Sequence, residues 1–130
     1  MEVPSDLVER DCWELLALAS VGRLALSVNA LPAILPVQYY LDGQTVAICL
    51  GEYELPVTSV DGTVVAFAAD SLDDSSRSGW TVQVQGVLRV PLPDGVPRDC
   101  GQPAAGRLVH LESATVSGHR FNLCPFIAGF

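Results

Sequence analysis

The sequence predicts a mainly β fold, a small barrel of short strands with one or two short flanking helices. Three observations carry that prediction. Apolar residues alternate with polar ones in short runs, most plainly Trp80, Val82 and Val84 against Thr81, Gln83 and Gln85. Tight-turn pairs separate those runs: Asn29-Ala30, Asp42-Gly43 and Asp61-Gly62. Helical spacing is clear only near the N-terminus. A chain of 130 residues, 49% of them apolar, suffices for one domain that spans residues 1–130. Such a domain buries roughly two thirds of the surface its unfolded chain exposes.

Taken in order, Ser5-Asp6 offers an N-cap, and Leu7, Val8, Cys12, Leu15, Leu16 and Ala19 recur at helical spacing, predicting a helix over residues 6–19. The period then changes. Residues 23–28 read as a strand, and residues 31–41 as a second, interrupted by Pro32 and Pro36. Asp42-Gly43 turns the chain into a strand over 45–50. Residues 51–60 could start a short helix at Glu52, but Pro56 and the β-branched Val57, Thr58 and Val60 oppose it. Val, Ala and Phe over 63–69 suit a buried strand. A polar connection over 70–79 then delivers Trp80 to a strand over 80–90. Four prolines and two glycines make 91–105 a loop. Residues 107–111 and 115–123 read as a last strand pair.

Charge narrows the function. The net charge is −8, and all seven cations are arginines. Nucleic-acid binding needs clustered Lys and Arg to neutralise phosphates, so this composition argues against it, and against anionic membrane surfaces. The uncharged runs are broken by Asn, Pro, Gln and Gly, so no membrane helix is expected. The acidic start, Met1-Glu2-Val3-Pro4-Ser5-Asp6, lacks the order of a signal peptide, and the expectation is a cytoplasmic protein. Few surface charges beside many apolar residues suggest that another subunit covers part of the surface. Cys12, Cys49, Cys100 and Cys124 are far apart, without the short spacings of a zinc site, and read as four free thiols in a reducing compartment.

Several segments, in this order, resemble one family. They are Val21-Gly22-Arg23-Leu24-Ala25, Leu35-Pro36-Val37-Gln38-Tyr39, residues 64–70 (Val-Val-Ala-Phe-Ala-Ala-Asp), Ser78-Gly79-Trp80-Thr81-Val82 and Val116-Ser117-Gly118-His119-Arg120-Phe121. Together they resemble the pyridoxamine 5'-phosphate oxidase-like family of flavin-binding split barrels. The resemblance implies a six-stranded split barrel, a homodimer, and two flavin sites at the subunit interface. It implies that the backbone of Val37, Gln38 and Tyr39 lies beside the isoalloxazine ring, with Arg77, Ser78 and Trp80 at or near the same interface. It also implies a flavin- or deazaflavin-dependent oxidoreductase that passes hydride to or from a small organic substrate.

The chain departs from the family at the flavin phosphate. Members that bind flavin mononucleotide (FMN) commonly follow the strand matching 45–48 with Arg-Thr, a short Gly-rich loop, and Lys-Leu. Here Arg falls on Cys49, Thr on Leu50 and Lys on Glu54. A phosphate wants forked Arg donors or a helix N-terminus. A carboxylate at ~4 Å costs about 4 kcal/mol at an effective dielectric near 20. FMN anchoring is therefore expected to be weakened or absent, with Arg23, Arg77 and Arg120 as the cations left to replace it. The alternative is a non-catalytic dimeric module that has lost flavin and binds another ligand or a protein partner.

The remaining side chains have plainer readings. Trp80 is open between a flavin-side aromatic and barrel-mouth packing. Tyr39 and Tyr40 face opposite sides of a strand, so only one can meet a ligand. Arg23 reads as the partner of an Asp or Glu, Cys49 as a buried thiol, and His110 as a strand residue on the solvent or interface face. There is no Ser-His-Asp order, phosphate loop or HExxH motif. No side chain reads as catalytic, so a cofactor must supply any chemistry.

Overall fold

The computed structural model describes residues 5–50, 60–90 and 108–123 of the chain. The expectations for 51–59 and 91–107, and the position of Glu54, fall outside them. The elements run β1 (Ser5–Asp6), α1 (Glu9–Leu16), β2 (Val21–Val28), β3 (Leu31–Asp42), β4 (Thr45–Cys49), β5 (Val64–Asp73), β6 (Ser78–Arg89) and β7 (Leu108–Asn122). The sheet order is β1-β7-β4-β3-β2-β5-β6, and β6 also pairs with β7. Six antiparallel strands thus close into a ring, with β1 a two-residue addition beside β7. The resulting fold is a split barrel.

Turn chemistry sets the hairpins. Asn29 and Ala30 both take positive φ (50° and 64°), which matches the right-handed twist of β2 and β3, and Gly43 (φ 62°) joins β3 to β4. Alternation then divides the residues between two faces. Leu24, Leu26, Val37, Tyr39, Val46, Ile48, Val65, Phe67, Val82, Val84 and Leu111 point inward into one continuous core. At its centre the Tyr39 and Phe67 rings meet edge to face, with centroids 4.8 Å apart. Phe67 also passes beside Gly22, where a Cβ would run into its ring, so only glycine fits. α1 closes one end by burying Cys12, Trp13, Leu15 and Leu16.

Three expectations are corrected. α1 is shorter than predicted: Ser5 and Asp6 pair with Arg120 and His119 as a strand, and the N-cap is Val8, without a side-chain cap. The polar connection over 70–79 is mostly ladder, because Asp70 to Asp73 pair with Thr81 to Ser78 and only 74–77 turn. The last strand pair is one strand. β7 runs alongside β6 from His110 to Asn122 through an irregularity opposite Gln85 and Gly86. A β-bulge absorbs the break in alternation that looks like a turn in the sequence.

Candidate functional site

The barrel interior is filled, so a flat ligand has no room inside it. Of the residues that the sequence singles out, Val37, Tyr39, Leu50 and Trp80 belong to this interior. Trp80 shares the inward parity of Val82 and Val84, and it packs in the core rather than lining an open slot. The Tyr39 hydroxyl donates to the Leu16 carbonyl, which ties β3 to α1. Burial pushes the Tyr39 pKa up to about 12, so it stays neutral at ordinary pH.

The outward residues form the other surface. Strand register places Cys49, Gln38 and Val21 in one row across β4, β3 and β2. A second row carries Pro36, Arg23, Ala68, Gln83 and Ser117 across β3, β2, β5, β6 and β7. A third carries Ile34, Ala25, Ala66, Gln85 and Thr115. The outer face of β3, β2 and β5 is therefore mostly small-chained and nearly uncharged. Its one ion pair joins Arg23 Nη1 to Asp70 Oδ2 at 3.0 Å across the β2–β5 junction, with both side chains about half exposed. Exposed apolar residues share the outward parity of that pair on β2, β3 and β5: Val21, Ile34, Val64 and Leu72.

Gln38 is exposed on the outer face between Val37 and Tyr39, whose backbones are held in the ladders with β2 and β4, so β3 offers a ligand there an open surface with one polar side chain. The phosphate end does not fit in the same way. Leu50 is buried in the core. Cys49 points to the outer face but is covered, clustered with Ala47, Leu108 and Tyr40. It is also disulfide-bonded, which corrects the expectation of four free thiols. Spacing along the chain could not reveal that bond, because pairing depends on distance through space. Neither residue offers a donor to an anion. Cys12 is the free cysteine among the described residues, and burial, then Asp11 and Glu9, raises its pKa.

Arg77 and Ser78 sit apart from Gln38 and Cys49, at the β5–β6 turn. Arg77 takes φ 57°, and the Ser78 hydroxyl lies 2.7 Å from that of Ser76. Asp73 caps the same turn by accepting from the Ser75 amide and hydroxyl, which lowers its pKa. The fold brings Val37, Gln38, Tyr39 and Cys49 together on β3 and β4; Trp80 and Ser78 stand on β6 and Arg77 at the β5–β6 turn, with β2 and β5 between the two groups along the sheet. His110 faces outward, half-buried between Ala47 and Arg89. An open groove of about 530 Å³ between α1 and the β3–β4 turn, lined by Glu9, Trp13, Glu14, Leu41 and Gln44, contains none of these residues. Among the described residues no His, Cys, Asp and Glu cluster could hold a metal, and no helix is long and apolar enough to cross a membrane.

The sequence model described as Pyridoxamine 5'-phosphate oxidase matches residues 8–95, two thirds of the chain and most of the ring just described. The chain belongs to the pyridoxamine 5'-phosphate oxidase-like family. It is similar to the uncharacterized protein Rv0080 of Mycobacterium tuberculosis, with 36% identity over 99 residues. The match takes in 72% of this chain and 65% of that relative, so the chain spans under two thirds of the relative's length. Among solved structures it resembles an FAD (flavin adenine dinucleotide) binding protein from Mycobacterium smegmatis, with TM-score 0.72 and 26% identity over 92% of this chain and 100% of the other. A putative pyridoxamine 5'-phosphate oxidase from Corynebacterium glutamicum shares the fold at TM-score 0.73 and 21% identity, over 96% of this chain and 99% of the other. Family membership accounts for the closed ring. It does not restore the arginine and the threonine whose places Cys49 and Leu50 take.

Proposed function

We propose that this protein is a homodimer that binds a flavin nucleotide, FAD or FMN, against the outer edge of β3. In this reading two copies pack through the outer face of β2, β3 and β5, and each ring lies in the seam beside Val37, Gln38 and Tyr39. The bound flavin supplies hydride transfer to or from a small organic substrate. This chain's own residues do the positioning: the exposed Gln38 amide offers a donor and an acceptor to the ring, and the dimer seam keeps water out.

The observation that carries the reading is the exposed, small-chained outer face of β2, β3 and β5, on which Gln38 stands. Buried between two copies, it makes the apolar slot a ring needs. The 26% identical FAD binding protein supports a flavin dinucleotide as occupant. A 5-deazaflavin would suit the same slot, since the two rings differ by one atom.

A second reading is favoured by the covered, disulfide-bonded Cys49 and the buried Leu50. With no phosphate donors there, the dimer is a non-catalytic module that binds another apolar ligand or a partner. The absorption spectrum of the freshly purified protein, followed by titration with FAD and FMN read by fluorescence quenching, separates the two. Flavin bands or saturable micromolar binding support the first reading. A deazaflavin spectrum changes the cofactor and keeps the site. A colourless protein that binds neither nucleotide leaves the second.

A further inference from the structure

We infer that Arg23 is the cation that holds the phosphate of the flavin nucleotide, releasing Asp70 to do so. The inference rests on the flavin reading above and goes further by assigning the anchor that positions 49 and 50 lack. Arg23 lies in the middle of the outer face, two strands from Cys49 and diagonal to Gln38. Sheet spacing puts the Arg23 and Cys49 backbones about 12 Å apart, a span that one flavin nucleotide lying across Gln38 can bridge.

The other described arginines are placed elsewhere. Arg10 lies on α1 beside Asp11 at 3.9 Å. Arg89 pairs with Glu112 at 3.4 Å near the opposite end of β6. Arg120 shares the register of Trp80 rather than the outward row. Arg77 lies at the β5–β6 turn, beyond the Asp73–Ser78 pair, rather than on the outward row of β2. Arg23 alone among them projects from the centre of the face where the ring is proposed to lie.

The present partner of Arg23 does not hold it fast. An exposed Arg–Asp pair contributes little, because water and salt screen both charges. A phosphate offers forked acceptors and more charge than one carboxylate, and the exchange takes place in a seam that excludes water. Asp70 then becomes a like charge beside the phosphate. This predicts opposite effects for the two members of one ion pair, which a purely structural bridge would not give.

The test is to titrate the dimer with FAD, FMN and riboflavin, which lacks phosphate, for wild type, Arg23→Gln, Arg23→Lys and Asp70→Asn. Circular dichroism confirms that each variant folds. The expected result for Arg23→Gln is FAD and FMN binding weaker by about tenfold or more, with riboflavin binding unchanged and the salt dependence of binding reduced. Arg23→Lys recovers part of the loss. Asp70→Asn tightens FAD and FMN binding and leaves riboflavin alone. If Arg23→Gln leaves nucleotide binding as in wild type, the anchor is another residue and the inference is overturned. Equal losses for FMN and riboflavin place Arg23 on the ring and also overturn it. A wild type that binds riboflavin but neither nucleotide removes the anchor and keeps the slot, whereas one that binds none of the three removes the flavin reading itself.

Discussion

Tyr39 shows how one position serves two elements. Its ring packs on Phe67, its hydroxyl reaches the Leu16 carbonyl, and its amide donates to the Ser20 carbonyl at 3.0 Å. The raised pKa has a consequence for stability. The unfolded phenol loses its proton near pH 10 while the folded one holds it to about 12, so the folded state binds more protons in that window. Stability should be intact below pH 10 and fall by about 3 kcal/mol as pH rises through 12. Urea unfolding of wild type and Tyr39→Phe across this range checks it: the variant starts less stable, having lost the bond to Leu16, but shows less alkaline loss. An equal alkaline loss in both would show that Tyr39 is not the group responsible. Trp80 is instructive for what the sequence can tell. Its two readings were separable in principle, since it shares parity with Val82 and Val84, which mark the inward face. Distance along the chain hid the disulfide at Cys49 completely.

Hairpins were the most legible elements, because their turn residues carry their own geometry. The β2–β3 turn follows that chemistry imperfectly. Ala30 sits at φ 64°, where an L side chain is strained and glycine is not. Ala30→Gly should therefore stabilise the fold by about 1 kcal/mol, the strain relieved outweighing the added freedom of the unfolded chain. A midpoint shift toward higher urea would confirm it, and a shift the other way would mean that the turn is unstrained. The sequence reads as two strands over 107–111 and 115–123, with Glu112, Ser113 and Ala114 between them, and no local signal separates a bulge from a turn. The bulge has a partner requirement on β6. A Cβ at Gly86 would collide with the Glu112 carbonyl oxygen, a backbone atom that cannot swing away. Gly86→Ala should cost about 2 kcal/mol or more by prising β6 from β7 at that point, measured by the same unfolding experiment. α1 was overextended for a related reason: Ser5 and Asp6 are good caps locally, but pairing with β7 claims them first.

At the scale of the whole molecule, the ring of strands leaves one face unexplained by its own core. Ile34 (69% exposed) and Val64 (80%) stand on it with Ala25, Ala66 and Ala68 between them, and the opposite charges of Arg23 and Asp70 on it are paired with each other. Small side chains let two such sheets approach closely, and a two-fold dimer buries the same patch on both copies. Alternation makes the outward residues of this face legible, and composition predicts that another subunit covers part of the surface; the proposed occupant, a second copy, depends on complementarity between copies, which one chain does not display. Ala66 lies at the middle of the face, between Ala25 and Gln85, so a charge there would be trapped without a partner in the seam. Ala66→Glu should convert the dimer to monomer, because each copy would bury a carboxylate against an already acidic twin. Light scattering after size exclusion at micromolar concentration reads the mass directly, and circular dichroism shows whether the ring survives. The wild-type melting temperature should rise with protein concentration while that of the variant does not. A wild type that elutes as a monomer would sink the dimer, and a variant that remains dimeric would move the interface to another face. A monomeric variant that also loses flavin would tie the slot to the seam between subunits.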